Sequence, residues 1–194
     1  MEITKVIDSD IVEISKLHKI AWSKDHFTYY FNINYLKKYY ELLIKSEEYC
    51  IVAKENNEIM GYIIGGTKSK VAVDYFVKKH WFYLLWILVI HPKFIIEKFF
   101  GLINKLIKKT VNKKGKIVTI FIILVNPKFQ NKGIGQKLIE NFEILLLENG
   151  INEYGLSVRR NNKKGERFYF RMGFTEQLSN KYSISFTKTI NNKA

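Results

Sequence analysis

Val125-Asn126-Pro127-Lys128-Phe129-Gln130-Asn131-Lys132-Gly133-Ile134-Gly135 separates two segments of different hydrophobic period. Before it, Ile117 to Val125 is a nearly unbroken β-branched and aromatic run, the composition of a strand buried on both faces. After it, Gln136 to Asn149 has the period of a helix. Pro127 ends the strand by removing a backbone donor. Gly133 and Gly135 allow a tight turn and let a ligand approach the backbone with no Cβ between. Strand, glycine loop and helix in that order leave free N–H groups at the positive end of a helix dipole, which suits a phosphate or pyrophosphate. A strand-to-helix turn that binds nothing would use the same glycines, so the loop alone leaves both readings open.

Spacing narrows the ligand. A dinucleotide fold needs G-x-G-x-x-G and a Walker loop needs G-x-x-x-x-G-K-[ST]; Gln130-x-x-Gly133-x-Gly135 fits neither. The pattern resembles the Q/R-x-x-G-x-G/A signature of the GCN5-related N-acetyltransferases (GNAT), with Val125 and Pro127 where that family has V-x-P. A second block, Val158 to Phe174, resembles N-x-x-A-x-x-F-Y-x-x-x-G-F through Asn162, Phe168, Tyr169, Gly173 and Phe174, with Gly165 in the alanine position.

The resemblance implies an α/β fold: a mixed, strongly twisted GNAT-type sheet with helices on both faces. It implies acetyl-CoA as cosubstrate, its pyrophosphate on the backbone of Gln130, Asn131, Lys132, Gly133, Ile134, Gly135 and Gln136. Asn162 would cap its helix and touch the coenzyme. The central strand and the next would splay, so that Leu124 and Val125 offer backbone groups to the pantetheine arm. In the same terms Tyr169 is the general acid for the departing thiolate and a backbone N–H near Val125 the oxyanion donor; a merely packed aromatic is the plainer role for Tyr169. Many family members carry a Glu on the central strand where this chain has Thr119. The base is therefore open, with Asp25, His26, Glu47 and Asp74 as candidates. A coenzyme-binding sensor or scaffold without turnover is the alternative class, and a peptide or protein N-acetyltransferase the alternative substrate.

With 194 residues the chain is read as one acetyltransferase domain, 1–194, carrying a helical insertion at about 67–116 before the central strand. A hydrophobic share of 47%, with aromatic residues making up 15% of the chain, excludes a disordered tail. The net charge of +14 fits an anionic substrate or surface, and equally a Lys-, Ile- and Asn-rich composition with no functional meaning; no nucleic acid is expected. The single Cys50 cannot form an internal disulfide, and Met1 to Asp10 lacks a secretory pattern, so a cytoplasmic location is expected. Four scattered histidines, His18, His26, His80 and His91, suggest no metal site.

Along the chain the patterns predict a strand at Ile3 to Ile7 and helices from Asp10 to Trp22 and Ile33 to Lys45. A hairpin of Tyr49 to Lys54 with Ile59 to Gly65 should turn on Asn56-Asn57. After the motif come a strand at Glu153 to Val158, a helix at Asn162 to Met172 and a strand at Tyr182 to Lys188. The connection Ser23 to Phe31 falls where the family lines its acceptor cleft, which makes Asp25 and His26 acceptor contacts or ordinary loop residues. The acceptor is expected to be a small-molecule amine, an amino sugar or nucleotide sugar first among the candidates.

The insertion contains the apolar run Trp81 to Ile90, too short for a bilayer, which needs about 20 residues. Lys93 to Lys109 then has an amphipathic pattern with Phe94 as its exception. Its apolar face has three surfaces available: the domain itself as a cap on the acceptor cleft, a second copy in a homodimer, or a membrane surface.

Overall fold

The computed structural model describes residues 1–95 and 117–190. Seven strands form one mixed sheet in the order β1-β2-β3-β4-β5-β7-β6: β1 Glu2–Lys5, β2 Tyr49–Glu55, β3 Glu58–Gly66, β4 Val118–Val125, β5 Glu153–Arg159, β6 Thr175–Ser179 and β7 Ser183–Thr189. The first four make an antiparallel meander, β5 runs parallel to β4, and β7 and β6 complete the far edge antiparallel. The hairpin between β2 and β3 turns on Asn56 and Asn57 with φ of 49° and 63°, the left-handed pair that a two-residue connection requires. β6 is an addition to the sequence reading: all five of its residues are exposed, so it has no apolar alternation to betray it.

Helices cover both faces. α1 (Ile11–Ala21) and α2 (Ile33–Ser46) lie on one, where Ile14, Leu17, Leu36, Tyr40 and Leu43 meet Val52, Tyr62 and Ile64 of the sheet. α5 (Ile134–Glu148) and α6 (Lys163–Arg171) lie on the other, where Leu138, Ile139, Phe142, Leu146 and Tyr169 meet Ile63, Ile120, Leu156 and Phe186. The stretch before β4 contributes α3 (Ser69–Lys79) and α4 (Trp81–Ile90), which join the α1–α2 side through Ala72, Phe76, Leu84 and Ile87. The apolar run of α4 buries only Leu84 and Ile87 fully, while Phe82, Trp86 and Val89 are more than 60% exposed. Phe94, out of phase with the helical pattern predicted from Lys93 to Lys109, is buried edge-on against Phe27 and Tyr30. The rest of that pattern, from residue 96, lies outside the described residues.

One irregularity positions everything that follows. In the β3–β4 ladder Ile64 pairs with Ile122 and Gly65 with Ile120, leaving Phe121 as an extra, unpaired residue. Such a bulge shifts the alternation of the strand by one. Val118 and Ile120 accordingly face α5, whereas Ile122 and Leu124, two and four residues on, face α1 and α2. The β4–β5 ladder stops at the same point: Val118, Thr119 and Ile120 pair with Tyr154, Gly155 and Leu156, and nothing beyond pairs.

Candidate active site

Past Phe121 the two parallel strands separate, and the space between them is a cavity of about 460 Å³. Its walls are Ile120 to Ile123 of β4, Leu156 to Arg159 of β5, Asn161, Asn162 and Tyr169 behind them, and Trp22, Asp25 and His26 of the α1–α2 connection in front. The edge of β4 that faces the gap follows from the ladder. Asn126 N–H donates to Met60 O at 2.9 Å, so residues of its parity, Ile122 and Leu124, turn their backbone groups toward β3. Ile123 and Val125 turn theirs to the opposite edge, into the gap. Of the two residues expected to offer backbone groups to an arm in the gap, Leu124 turns its groups to β3, opposite Tyr62, whereas Val125 turns its own to the other edge, beyond the cavity that Ile123 lines.

The glycine loop closes one end. Asn126 caps a short turn by accepting from Lys128 N–H, Asn131 and Gly133 have φ of 62° and 77°, and α5 begins at Ile134. The first main-chain bond into the helix runs from Lys137 N–H to Gly133 O, so Ile134, Gly135 and Gln136 occupy its first turn, where N–H groups have no intrahelical acceptor. A Cβ at Gly133 would meet nothing within 4 Å, whereas one at Gly135 would stand 3.3 Å from Phe168 Cζ and 3.6 Å from Val125 Cγ2. Gly133 therefore keeps space open, and Gly135 lets α5 pack on α6 and the end of β4. Gln130, Asn131 and Lys132 are exposed, Lys132 with its ammonium 5.3 Å from the Phe129 ring. The Gln136 side chain donates to Glu140 at 2.8 Å, which leaves its backbone for any ligand at the loop.

Asn162 caps α6 through its carbonyl oxygen, which accepts from Gly165 N–H at 2.9 Å. The departure from the alanine pattern at Gly165 has a local cause: a Cβ there would fall 2.6 Å from Asn162 Nδ2. One turn later α6 presents Tyr169, packed between Phe174 and Phe186 and 7% exposed. Its hydroxyl makes no hydrogen bond among the described residues, and burial pushes its pKa well above the ordinary phenol value. Tyr169 thus stays protonated with a free O–H at the cavity wall.

Of the four candidate bases, Asp25 and His26 line the cavity. Glu47 is buried at the end of β3, accepting from Lys68 N–H, and Asp74 is exposed on α3. Among the described residues the Thr119 hydroxyl reaches only Gly66 O, at 3.5 Å. His26 is also the outer end of a buried hydrogen-bonded chain. Its Nδ1 is 2.7 Å from Thr28 Oγ1, Thr28 Oγ1 is 2.9 Å from His18 Nε2, His18 Nδ1 is 2.7 Å from Tyr40 Oη, and Tyr40 Oη is 2.6 Å from Tyr62 Oη. Burial, then His26 and Lys19, lowers the His18 pKa to about 3; burial, then Arg159, lowers that of His26 to about 4. Both imidazoles are neutral at pH 7. The sequence signals for this chain are slight, since Tyr40 and Tyr62 read as core aromatics and His18 as one polar residue on an apolar helix face. Arg159 links β5 to the α1–α2 connection across the front of the cavity, donating from Nη1 to Asp25 O at 2.7 Å.

This arrangement can be set beside known proteins. The model of the acetyltransferase (GNAT) family matches residues 11–174, which is most of the chain. The chain belongs to the GNAT acetyltransferase family. Solved structures share its fold. PH1933 from Pyrococcus horikoshii superposes with a TM-score of 0.65 at 17% identity, covering 98% of each chain. The PaiA N-acetyltransferase of Thermoplasma acidophilum, solved in complex with coenzyme A, gives 0.61 at 15% identity over 97% of this chain and 98% of its own. The ribosomal-protein-S18-alanine N-acetyltransferase of Escherichia coli gives 0.59 at 15% identity over 100% and 96%. Among curated proteins no sequence match was found. At these identities the likeness is one of fold.

Proposed function

We propose that this GNAT protein transfers the acetyl group of acetyl-CoA to the amine of a small acceptor. The observation that carries the reading is the gap opened at Phe121, lined by Ile123 of β4, by Tyr169 and by the connection bearing His26, with Val125 turning its backbone to the same edge two residues further on. The residues fit the coenzyme. The amides of its arm match the unpaired N–H and C=O groups of Ile123 and Val125 along the gap, and its pyrophosphate matches the N–H groups from Asn131 to Gln136, with Gly133 leaving the approach clear. A neighbour of the same fold solved in complex with coenzyme A supports coenzyme binding by this architecture.

Acetyl-CoA would bring a thioester, an acyl group already activated toward an amine. The protein's share is then threefold. Val125 N–H, fixed at the strand edge, donates to the oxygen on which negative charge develops. Tyr169, kept protonated by its apolar pocket, gives its proton to sulfur as the N–C bond forms and the C–S bond breaks, and the proton shed by the acetylated nitrogen returns to it. The connection from Trp22 to His26, held over the gap by Arg159, limits the acceptor to what a cavity of about 460 Å³ admits, such as an amino sugar or the sugar end of a nucleotide sugar.

The test is thiol release from acetyl-CoA across a panel of amino sugars, amino acids, polyamines and peptides, with product masses. Turnover of small amines supports the proposal. Turnover of peptides alone would assign a protein N-acetyltransferase, and tight coenzyme binding with no turnover of any amine would assign a sensor or scaffold.

A further inference from the structure

The proton count of the buried chain decides which way His26 faces the cavity. Neutral His18 has one N–H, and the Thr28, Tyr40 and Tyr62 hydroxyls have one proton each and can accept twice, so the four bonds use the protons of both Thr28 and Tyr40 only when all point the same way. If they point inward, Tyr40 donates to Tyr62, and the proton of Tyr62, a side chain with no exposure, finds no acceptor among the described residues. An unpaired buried hydroxyl is disfavoured. If they point outward, Tyr62 donates to Tyr40, Tyr40 to His18 Nδ1, His18 Nε2–H to Thr28, and Thr28 to His26 Nδ1. Every proton is then used, and His26 is left with its own proton on Nε2, the one ring nitrogen that has no partner among the described residues.

The charges around that N–H are one-sided. Arg159 on β5 lines the same cavity, spends one N–H on Asp25 O, and has no carboxylate partner among the described residues. Lys19 of α1 lies behind, its Nζ bonded to Phe31 O. Asp25, the only carboxylate of the cavity wall among the described residues, has a side chain 69% exposed and turned outward to Lys93, 3.7 Å away. Tyr169 of α6 and His18 of α1 are uncharged at neutral pH.

We propose that Arg159 and the Nε2–H of His26 form a donor pair for an anionic group on the acceptor, so that the amine to be acetylated carries a carboxylate or a phosphate. This rests on the acetyltransferase reading above and adds the acceptor's charge to it. His26 is then a specificity residue that binds substrate rather than the base, and Thr28, His18, Tyr40 and Tyr62 are positioning residues that hold its tautomer.

The test uses matched amines: ethanolamine with phosphoethanolamine, alaninamide with alanine, glucosamine with glucosamine 6-phosphate. The wild type should prefer the anionic member of at least one pair in kcat/KM by about 10- to 100-fold, the range of a charge-assisted hydrogen bond. Arg159→Gln should abolish that preference with coenzyme A affinity, measured by calorimetry, unchanged. His26→Gln, whose amide nitrogen can stand near the position of Nε2, should retain most of it, and His26→Leu should lose it; a base would be lost in both. Independently of turnover, nitrogen-15 spectra of histidine-labelled protein should show His26 protonated at Nε2, moved by phosphoethanolamine and not by ethanolamine, and mixed in tautomer in Thr28→Val. The Nδ1–H tautomer, or equal response to both members of every pair, overturns the inference while leaving the acetyltransferase standing. Failure of the wild type to bind coenzyme A overturns both.

Discussion

Replacing Gly133 and Gly135 one at a time by alanine separates what the two loop glycines do. At Gly133 the backbone has φ of 77°, which costs an L-residue about 1–2 kcal/mol, and the new Cβ touches nothing within 4 Å. The stability loss should therefore be conformational alone, a fall in Tm of about 2–8 °C at roughly 2–4 °C per kcal/mol for a domain of this size, with unfolding still cooperative. The added methyl projects into the space that the pyrophosphate needs, so coenzyme A affinity should fall by at least ten-fold, and Gly133→Val should abolish binding. At Gly135 the backbone is helical. Alanine gains up to about 1 kcal/mol of helix propensity and must move the Phe168 ring, 3.3 Å away, by a few tenths of an ångström. Its Tm should stay within about 3 °C of wild type. Scanning calorimetry gives the first quantity for both variants and isothermal titration with coenzyme A the second. Wild-type coenzyme affinity in Gly133→Ala would refute the argument that Gly133 exists to leave the approach open.

Tyr169→Phe removes a hydroxyl with no partner among the described residues, so Tm should hold or rise slightly while kcat drops about 10²- to 10⁴-fold; an unchanged kcat with acetyl-CoA and a turned-over amine removes Tyr169 from the chemistry. Asn162→Ala deletes the cap of α6 and should cost about 0.5–2 kcal/mol in urea denaturation; because a Cβ at residue 165 would then no longer meet the Asn162 amide, adding Gly165→Ala to that variant should recover part of the loss. Stability should also fall as pH drops below about 6.5. His18 and His26 are neutral in the fold down to about pH 3 and 4, while in the unfolded chain they take up protons near 6.5, so the stability they carry is complete above 6.5 and disappears toward 3. The urea midpoint of His18→Gln should be flatter between pH 7 and 5 than that of the wild type; parallel curves would show that His18 is not held neutral.

The family was legible because its two motifs are made of backbone requirements. Gly133 must adopt a left-handed φ, Pro127 must stop a strand, and Asn162 must cap a helix, and each leaves its mark on residue type. The helices α1, α2 and α5 and the hairpin turn at Asn56-Asn57 were readable from periodicity for the same reason. β6 was not, since an edge strand with both faces in water has no pattern. The hydrogen-bonded chain was hidden differently: Tyr40 and Tyr62 are fully buried, and residue type does not tell whether a buried tyrosine was chosen for its ring or its hydroxyl. The free edge at Ile123 and Val125 could not be assigned in advance either, because an apolar run shows which side chains are buried and not which way each N–H points.

The bulge at Phe121 has a consequence for how β4 tolerates change. Counted by twos, the strand has one parity up to Ile120 and the opposite one from Ile122 onward, and Phe121 is the single residue that converts one to the other. Drawing Phe121 into the ladder, with β4 straight and no residue removed, would exchange inside and outside for the half of the strand nearest the loop: Ile122 and Leu124 would turn from α1 and α2 toward α5, and the N–H of Val125 would pass from the gap to the β3 ladder. Deleting Phe121 would instead close the bulge and leave Ile122 and Leu124 on their present face, opposite their present β3 partners. One unpaired residue, more than the identity of any apolar residue around it, keeps a core strand and a candidate active-site edge in the same eight residues.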